Sequence, residues 1–325
     1  MSYRFSLADE LPASIRAVAR EQLFGAVTQL ENPGEDPAKA IHEARKHLKK
    51  SRALLRLVRP ALGDDVYRRE NDALREIAGM LSATRDADVL VATVDALAER
   101  SIGRLPSADF GALHDALVAE AAAARAPGAT AGDAPTATAA GAAPATDATT
   151  AEAPAAAALQ LRAIHARVEE WPLDDSDWDT VVAGISRAYR RGARERERAE
   201  AEPTVEHLHD WRKRVKDLWY HQRLLKPAWT EVLDAYAEQA HVLSELLGDD
   251  HDLAVLRARL ERGIELSGRA ATVDLDPFLA LVDERRLELQ AHARRLAARL
   301  YAETPKAFER RIAAWVEAAV AEAAA

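Results

Sequence analysis

A basic helical segment occurs twice in this chain, and this repeat constrains the possible folds more than any other feature. The first copy, Ile41 to Pro60, reads IHEARKHLKKSRALLRLVRP, and the second, Leu208 to Pro227, reads LHDWRKRVKDLWYHQRLLKP. Histidine, arginine, lysine and even the last proline recur at matching positions. A hydrophobic core requires only that the apolar positions recur. The repeated cations therefore indicate two related halves that share a function.

Each copy carries a cationic stripe beside an apolar one. Because each residue advances about 100° around a helix, side chains spaced by three and four positions share one face. Like charges at these spacings destabilise a helix unless they face water or an anion. Acidic residues are sparse among them, so we interpret the stripes as anion-binding, with a solvated charged face as the alternative. The stripes contain His42, Arg45, Lys49, Arg52, Arg56 and Arg59, and His209, Arg212, Lys216, Trp219, Arg223 and Lys226, with Lys46 and Lys213 recurring beside them.

Composition narrows the class of protein. A chain of 325 residues with 48% hydrophobic residues is long enough to bury two cores. The absence of cysteine excludes disulfides and thiolate chemistry and agrees with a reducing cytoplasm. No signal peptide and no apolar run of about 18 residues is found, which predicts no membrane span. The net charge is -9, so concentrated cations predict a local anion site on an acidic body.

The periodicity predicts an all-α fold made of two antiparallel bundles of about four helices each. An insert rich in Ala, Pro and Thr separates the halves and is predicted to be disordered, because it offers no apolar face to bury. The predicted domains are residues 1–125, the insert 126–157, and residues 158–325. The predicted helices span residues 11–30, 37–59, 64–97 and 108–125, then 178–200, the second basic helix, 230–263, 276–301 and a last helix from Pro305.

A shorter repeat follows each basic helix. The segment LSATRDADVL, Leu81 to Leu90, matches LGDDHDLAVL, Leu247 to Leu256. Both contain a basic residue followed by aspartate, Arg85-Asp86 and His251-Asp252. Such a carboxylate can orient a cationic side chain through charge-assisted hydrogen bonds. An ion pair between helices of the bundle is an equally good interpretation.

The paired H-x-x-R-K-x-x-K helices, each followed by L-x-x-x-[RH]-D-x-x-V-L, resemble the conserved histidine α-helical domain (CHAD) family. The segment from His292 to Ile312 resembles the C-terminal helices of that family. The resemblance implies two pseudo-symmetric four-helix bundles around a basic cavity that binds inorganic polyphosphate, and association with polyphosphate granules in the cytoplasm. The E-x-E-x-K signature of a catalytic triphosphate-tunnel domain is missing, which implies a stand-alone, non-catalytic member. Trp219 and Asp217 stand opposite Arg52 and Lys50, so the second half is expected to make fewer phosphate contacts.

The resemblance assigns polyphosphate binding to the stripe residues, and further cations are candidates for the same cavity. For these further cations a solvated face is the alternative. The histidines have an unperturbed pKa of about 6.5, so bound phosphate is expected to favour their charged form, although a structural role is the alternative. The candidates for binding are His42, Arg45, Lys46, Lys49, Arg52, Arg56, His209, Arg212, Lys213, Lys216 and Arg223, together with Arg16, Arg20, Arg187, Arg191, Arg294 and Lys306; Arg85, Asp86, His251 and Asp252 are expected to orient them.

Two competing functions remain. His251-Asp252 is similar to the H-D pair of metal-dependent phosphohydrolases, but Arg85 occupies the equivalent position and is not a metal ligand. A nucleic-acid binder uses the same phosphate contacts, yet the acidic balance, 5% aromatic content and lack of a reading motif disfavour it. We therefore predict no catalysis, no cofactor and no metal, with inorganic polyphosphate as the partner and no membrane or specific nucleic acid. The sequence leaves the oligomeric state open.

Overall fold

The computed structural model describes residues 3–81, 85–104, 107–125, 152–262 and 275–325, without the side chains of residues 85–88, 107–109 and 123–125. Within these ranges every regular element is helical, which confirms the all-α prediction. Two short 3₁₀ turns, Val168–Glu170 and Lys226–Ala228, accompany the α-helices. The α-helices are α1 (Leu11–Glu31), α2 (Pro37–Leu57), α3 (Arg59–Met80), α4 (Arg85–Arg100), α5 (Ser107–Arg125), α6 (Ala153–Arg167), α7 (Trp178–Ala201), α8 (Val205–Leu224), α9 (Thr230–Glu261), α10 (Asp276–Leu300) and α11 (Pro305–Ala324). No helix in the described part is long and apolar enough to cross a membrane.

Both basic segments form helices, α2 and α8, with defined ends. The Asp36 side chain accepts a hydrogen bond from the Lys39 amide at 2.9 Å, and the Thr204 hydroxyl accepts one from the His207 amide at 3.2 Å. Such caps satisfy amides at the first turn that lack a helical partner. Each helix then ends shortly before its proline, Pro60 or Pro227, as expected for a residue that cannot continue a helix.

The predicted helix over residues 64–97 is wrong, because the chain forms α3 and α4 there instead. Helix α3 is kinked at Gly63, whose φ of 71° is left-handed, and it ends at Met80. Helix α4 starts at Arg85. The equivalent segment of the second half lies inside the continuous helix α9.

Helix α6 was not predicted from the sequence, and it shortens the insert. It starts at Ala153, so residues 153–157 are helical rather than disordered, and Ala157 is fully buried. Arg167 of α6 donates two hydrogen bonds, at 3.1 and 2.8 Å, to the buried carboxylate of Glu70 on α3. Burial of apolar surface therefore fixes α6 against helices that precede the insert. Residues 126–151 lie outside the described residues, and their predicted disorder stays a prediction.

The buried apolar residues form two clusters, which do not coincide with the two halves of the chain. The larger cluster combines α1, α2, α3 and α6 with α7, α8, α11, the start of α9 and the end of α10. The smaller one combines α4 and α5 with the end of α9 and the start of α10, where Phe110 packs edge-on against Phe278 at 4.9 Å. The division into one bundle on each side of the insert is thus not confirmed, and the predicted domain boundaries stay predictions.

Helices α2 and α8 cross in an antiparallel arrangement at the α2–α8 interface. At its centre the buried His221 ring donates a hydrogen bond from Nε2 to the Ala53 carbonyl at 2.9 Å. Arg56 meets Asp217 on one side of this centre, and Lys50 lies near Arg223 on the other. In the repeat, Arg56 corresponds to Arg223 and Lys50 to Asp217. The two sides are therefore related by a local two-fold axis.

The N-terminal residues pack against the Lys50–Arg223 side. The Tyr3 hydroxyl donates to the Lys50 carbonyl at 2.8 Å, and the Phe5 amide donates to the Leu224 carbonyl at 2.9 Å. Both rings are buried. The Arg56–Asp217 side faces α3 and α7 instead.

Candidate anion-binding site

Five arginines from three helices form an arginine cluster on the Arg56–Asp217 side of the α2–α8 interface. They are Arg52 and Arg56 of α2, Arg187 and Arg191 of α7, and Arg214 of α8. Arg56 and Arg214 each donate from Nη1 to the Asp217 carboxylate, at 2.9 and 3.0 Å. Arg52 donates from Nε to Asn71 Oδ1 at 3.2 Å. As far as the described residues go, Asp217 is the one carboxylate that accepts a hydrogen bond from the cluster.

The cluster leaves two cations without a counter-charge. Over the described ranges, neither Arg187 nor Arg191 makes a hydrogen bond or an ion pair with another residue. Arg187 is half-buried and Arg191 is exposed. Cations that lose part of their hydration are normally paired, because desolvating an unpaired charge costs free energy. The cluster is therefore electrostatically incomplete, and an anion would complete it.

The pKa values of the arginines show the same imbalance. Burial, followed by repulsion from Arg56, lowers the pKa of Arg52 to about 10. Burial and Arg59 lower the pKa of Arg187, while burial and Arg214 lower that of Arg191. All three remain charged at neutral pH, so each is repelled by a neighbouring arginine in the folded protein. A bound anion reverses this repulsion.

A smaller pair of cations, Lys50 and Arg223, occupies the opposite side of the interface. The Lys50 amino group and the Arg223 guanidinium each lie 5.7 Å from the centre of the Tyr3 ring. Burial and the nearby Arg223 lower the pKa of Lys50. Neither side chain has an ion-pair partner in the part of the chain that is described. The pair is a second, smaller candidate for an anion-binding site.

The two arginines of the repeated H-x-x-R motif are anchored to backbone. Arg45 donates from Nη1 to the Leu81 carbonyl at 2.8 Å, just after the end of α3. Arg212 donates from Nε to the Ser244 carbonyl at 3.3 Å within α9. A Cβ atom on Gly248 would lie 2.9 Å from Arg212 Nη2, so glycine permits this approach. These arginines tie each basic helix to the helix that follows it.

The pKa values of two paired histidines, His209 and His251, are lowered by their surroundings. The rings of His209 and His251 lie 4.4 Å apart at 33°. Burial and then His251 lower the pKa of His209 to about 4, and burial lowers that of His251. A bound phosphate would therefore charge these two histidines only by raising pKa values that burial has lowered. His42, Lys49 and Lys216 are half-buried.

Several candidates lie apart from the cluster. Arg16 donates to the Trp171 carbonyl and to Asp174, both at 2.9 Å, and Arg20 pairs with Glu169, so both α1 arginines bind the segment after α6. Lys46 and Lys213 form equivalent exposed pairs at 3.0 Å with Glu43 and Asp210. Arg294 and Lys306 are exposed and, among described residues, contact no member of the cluster.

The Arg85 and Asp86 side chains lie outside the described residues, so their orienting role stays a prediction, as does that of the half-buried Asp252.

Sequence reasoning missed Arg214 and Lys50. Arg214 lies outside the stripe, and its repeat equivalent is His47, so recurrence does not single it out. Lys50 was treated only as the counterpart of Asp217. The sequence did carry a signal, namely the difference between Lys50 and Asp217 at one position of the repeat. The interface brings together residues that differ between the copies as well as those that recur.

One cavity between described helices is lined by acids as well as bases. It has a volume of about 610 Å³, lies between α4, α9 and α10, and is lined by Glu99, Asp249 and Asp252 as well as Arg100 and Arg285. None of the arginine cluster lines it. Over the described residues, no three His, Cys, Asp or Glu side chains are grouped so as to hold a metal ion.

Comparison with known proteins places the chain in a family. A crystal structure of the CHAD domain from the plant Ricinus communis is 19% identical in sequence and covers 98% of this chain and 94% of its own, with a TM-score of 0.48. No curated protein matches the sequence. The model of the CHAD domain family matches residues 17–261. Since that match spans most of the sequence, the chain belongs to the CHAD domain family.

Proposed function

We propose that this protein binds inorganic polyphosphate, without turning it over, at the arginine cluster and the Lys50–Arg223 pair. One observation carries the proposal: Arg187 and Arg191 lie unpaired, within the described residues, in a cluster whose single carboxylate is shared by Arg56 and Arg214. Arginine forks onto two oxygens of one phosphate, so a guanidinium cluster suits a ligand with a charge on every unit. The association of the CHAD family with polyphosphate supports this ligand.

The aromatic residues near the cations favour polyphosphate over single-stranded nucleic acid. Proteins that bind single strands stack bases on exposed aromatic rings. Here the Tyr3 ring is buried, and Trp219 stacks on His241 at 4.3 Å and on Tyr220 at 4.5 Å. These rings are already occupied by protein neighbours. A ligand with phosphates but no bases matches such a surface.

Binding without turnover follows from the character of the cluster. Fixed cations stabilise a bound phosphate about equally in the ground state and the transition state, which yields affinity rather than rate. We further propose that this binding places the protein at polyphosphate granules in the cytoplasm.

The proposal is tested by calorimetric titration with polyphosphates of several lengths, and with DNA in competition. Long-chain polyphosphate is expected to bind more tightly than short chains and to displace labelled DNA much better than DNA displaces it. Preferential binding of DNA would support the nucleic-acid alternative. Release of orthophosphate in the presence of Mg²⁺ or Mn²⁺, lost on mutation of His251 and Asp252, would support a phosphohydrolase.

A further inference from the structure

Asp217 occupies the position in the arginine cluster where a ligand phosphate would be expected to bind. Its Oδ1 accepts from Arg56 of α2 and its Oδ2 from Arg214 of α8, at 2.9 and 3.0 Å. The carboxylate is thus bridged by two guanidinium groups from two helices, as a phosphate commonly is. Its side chain is only 11% exposed, so the contact is shielded from solvent.

The crossing of α2 and α8 does not itself require an acid at this position. The repeat places Lys50 at the equivalent position of α2, where it lies near Arg223. The same local geometry therefore accommodates a lysine on one side and an aspartate on the other. The carboxylate therefore acts mainly through the negative charge that it brings to the cluster.

We infer that the Asp217 carboxylate competes internally with phosphate and makes the arginine cluster selective for phosphate chains over orthophosphate. This inference rests on the proposed polyphosphate binding. A tethered group acts at an effective concentration of millimolar order, so a single phosphate displaces it poorly. A phosphate chain can bind at Arg187 and Arg191, where it does not have to displace a carboxylate. Its other phosphate units then add contacts with other cations.

The test compares Asp217→Asn with the matched variant Asp283→Asn. Asp283 likewise accepts from an arginine, Arg257 Nε, at 2.9 Å, but on α10, away from the cluster. Calorimetric titrations with orthophosphate, tripolyphosphate and long-chain polyphosphate measure the affinity of each protein. Circular dichroism and thermal unfolding establish that the variants are folded, and Asp217→Ser replaces the asparagine variant if that one is not.

In Asp217→Asn, orthophosphate affinity is expected to rise about tenfold, by analogy with the loss of a competing charge-assisted contact. Long-chain affinity should rise much less, so the ratio of chain to orthophosphate affinity falls. Asp283→Asn should leave this ratio unchanged. Weaker binding of both ligands by Asp217→Asn would overturn the inference, because the carboxylate would then orient Arg56 and Arg214 for the ligand. An equal change in Asp283→Asn would also overturn it.

The proposed function fails separately, if the unmodified protein does not bind long chains. A gain of orthophosphate binding in Asp217→Asn would support the competitor role even then.

Discussion

The two sides of the α2–α8 interface have related geometry but differ in how their charges are arranged. On one side Arg56 and Arg214 share Asp217, and further arginines surround them. On the other side Lys50 and Arg223 face each other across the buried Tyr3, with no acid between them in the described structure. The local symmetry of the repeat fixes where the helices cross, and individual residues then decide how charge is distributed. Recurrence of sequence therefore identifies the fold better than it identifies the site.

The largest effect is expected from making the two sides alike. Asp217→Lys should lower the free energy of unfolding by about 3 to 5 kcal/mol, since it leaves partly buried arginines without their acid. Lys50→Asp should change it by less than about 1 kcal/mol, because the new carboxylate pairs with Arg223. Urea unfolding measures both. Equal losses in the two variants would show that the charge difference between the sides has no energetic consequence.

The centre of the interface supplies a pH-dependent difference between the copies. His221 is 1% exposed, and the equivalent residue of α2 is Leu54. Burial lowers the pKa of His221 from 6.5 to about 4. Between these values the unfolded chain binds a proton that the folded protein does not, so stability is lost as the pH falls from 6.5 towards 4.

The His221 contribution corresponds to about 3 kcal/mol over that range. His221→Leu should remove this part of the pH dependence, which denaturant unfolding at pH 7 and at about pH 4.5 would reveal. A pH dependence unchanged by the substitution would mean that other groups, such as the buried His209, account for the acid sensitivity.

The smallest effect concerns the anchored arginines, for which the two copies should behave alike. Arg45→Ala and Arg212→Ala should each lower the free energy of unfolding by about 1.5 to 3 kcal/mol, because each removes a charged hydrogen-bond donor from a backbone carbonyl. Lys46→Ala and Lys213→Ala, which remove only exposed pairs, should change it by less than about 0.5 kcal/mol. If the arginine variants unfold like the unmodified protein, these contacts do not hold the helices together.

Much of the fold was predictable because local signals agree with it. The caps at Asp36 and Thr204 and the prolines after each basic helix define α2 and α8 within a few residues. Helix α6 was missed because Ala153 to Ala158 has the alanine-rich composition of the preceding insert. Its amphipathic character becomes visible only when Leu161 and Ile164 are found buried. Tertiary packing, rather than propensity, stabilises such a segment.

The site was less predictable, because the stripes indicate which face is basic but not what that face contacts. Arg45 and Arg212 have the expected spacing, yet each meets a backbone carbonyl of the next helix. Arg187 and Arg191 were predicted as additional cations, and the structure brings Arg187 near Arg59 and Arg191 near Arg214 and Arg56. Arg16 and Arg20, their counterparts on α1, are paired with acids elsewhere. These outcomes depend on neighbours that are distant in sequence.

The most direct test of the account removes the two unpaired arginines, Arg187 and Arg191, together. The control removes two exposed arginines, Arg299 and Arg310, which causes the same loss of charge outside the cluster. Titration of both variants with long-chain polyphosphate at two salt concentrations measures affinity and its salt dependence. Arg187→Ala with Arg191→Ala should weaken binding about tenfold or more and reduce the salt dependence, because fewer phosphates are neutralised. Arg299→Ala with Arg310→Ala should bind like the unmodified protein. Equal binding by the two double variants would contradict the assignment of the ligand to the arginine cluster.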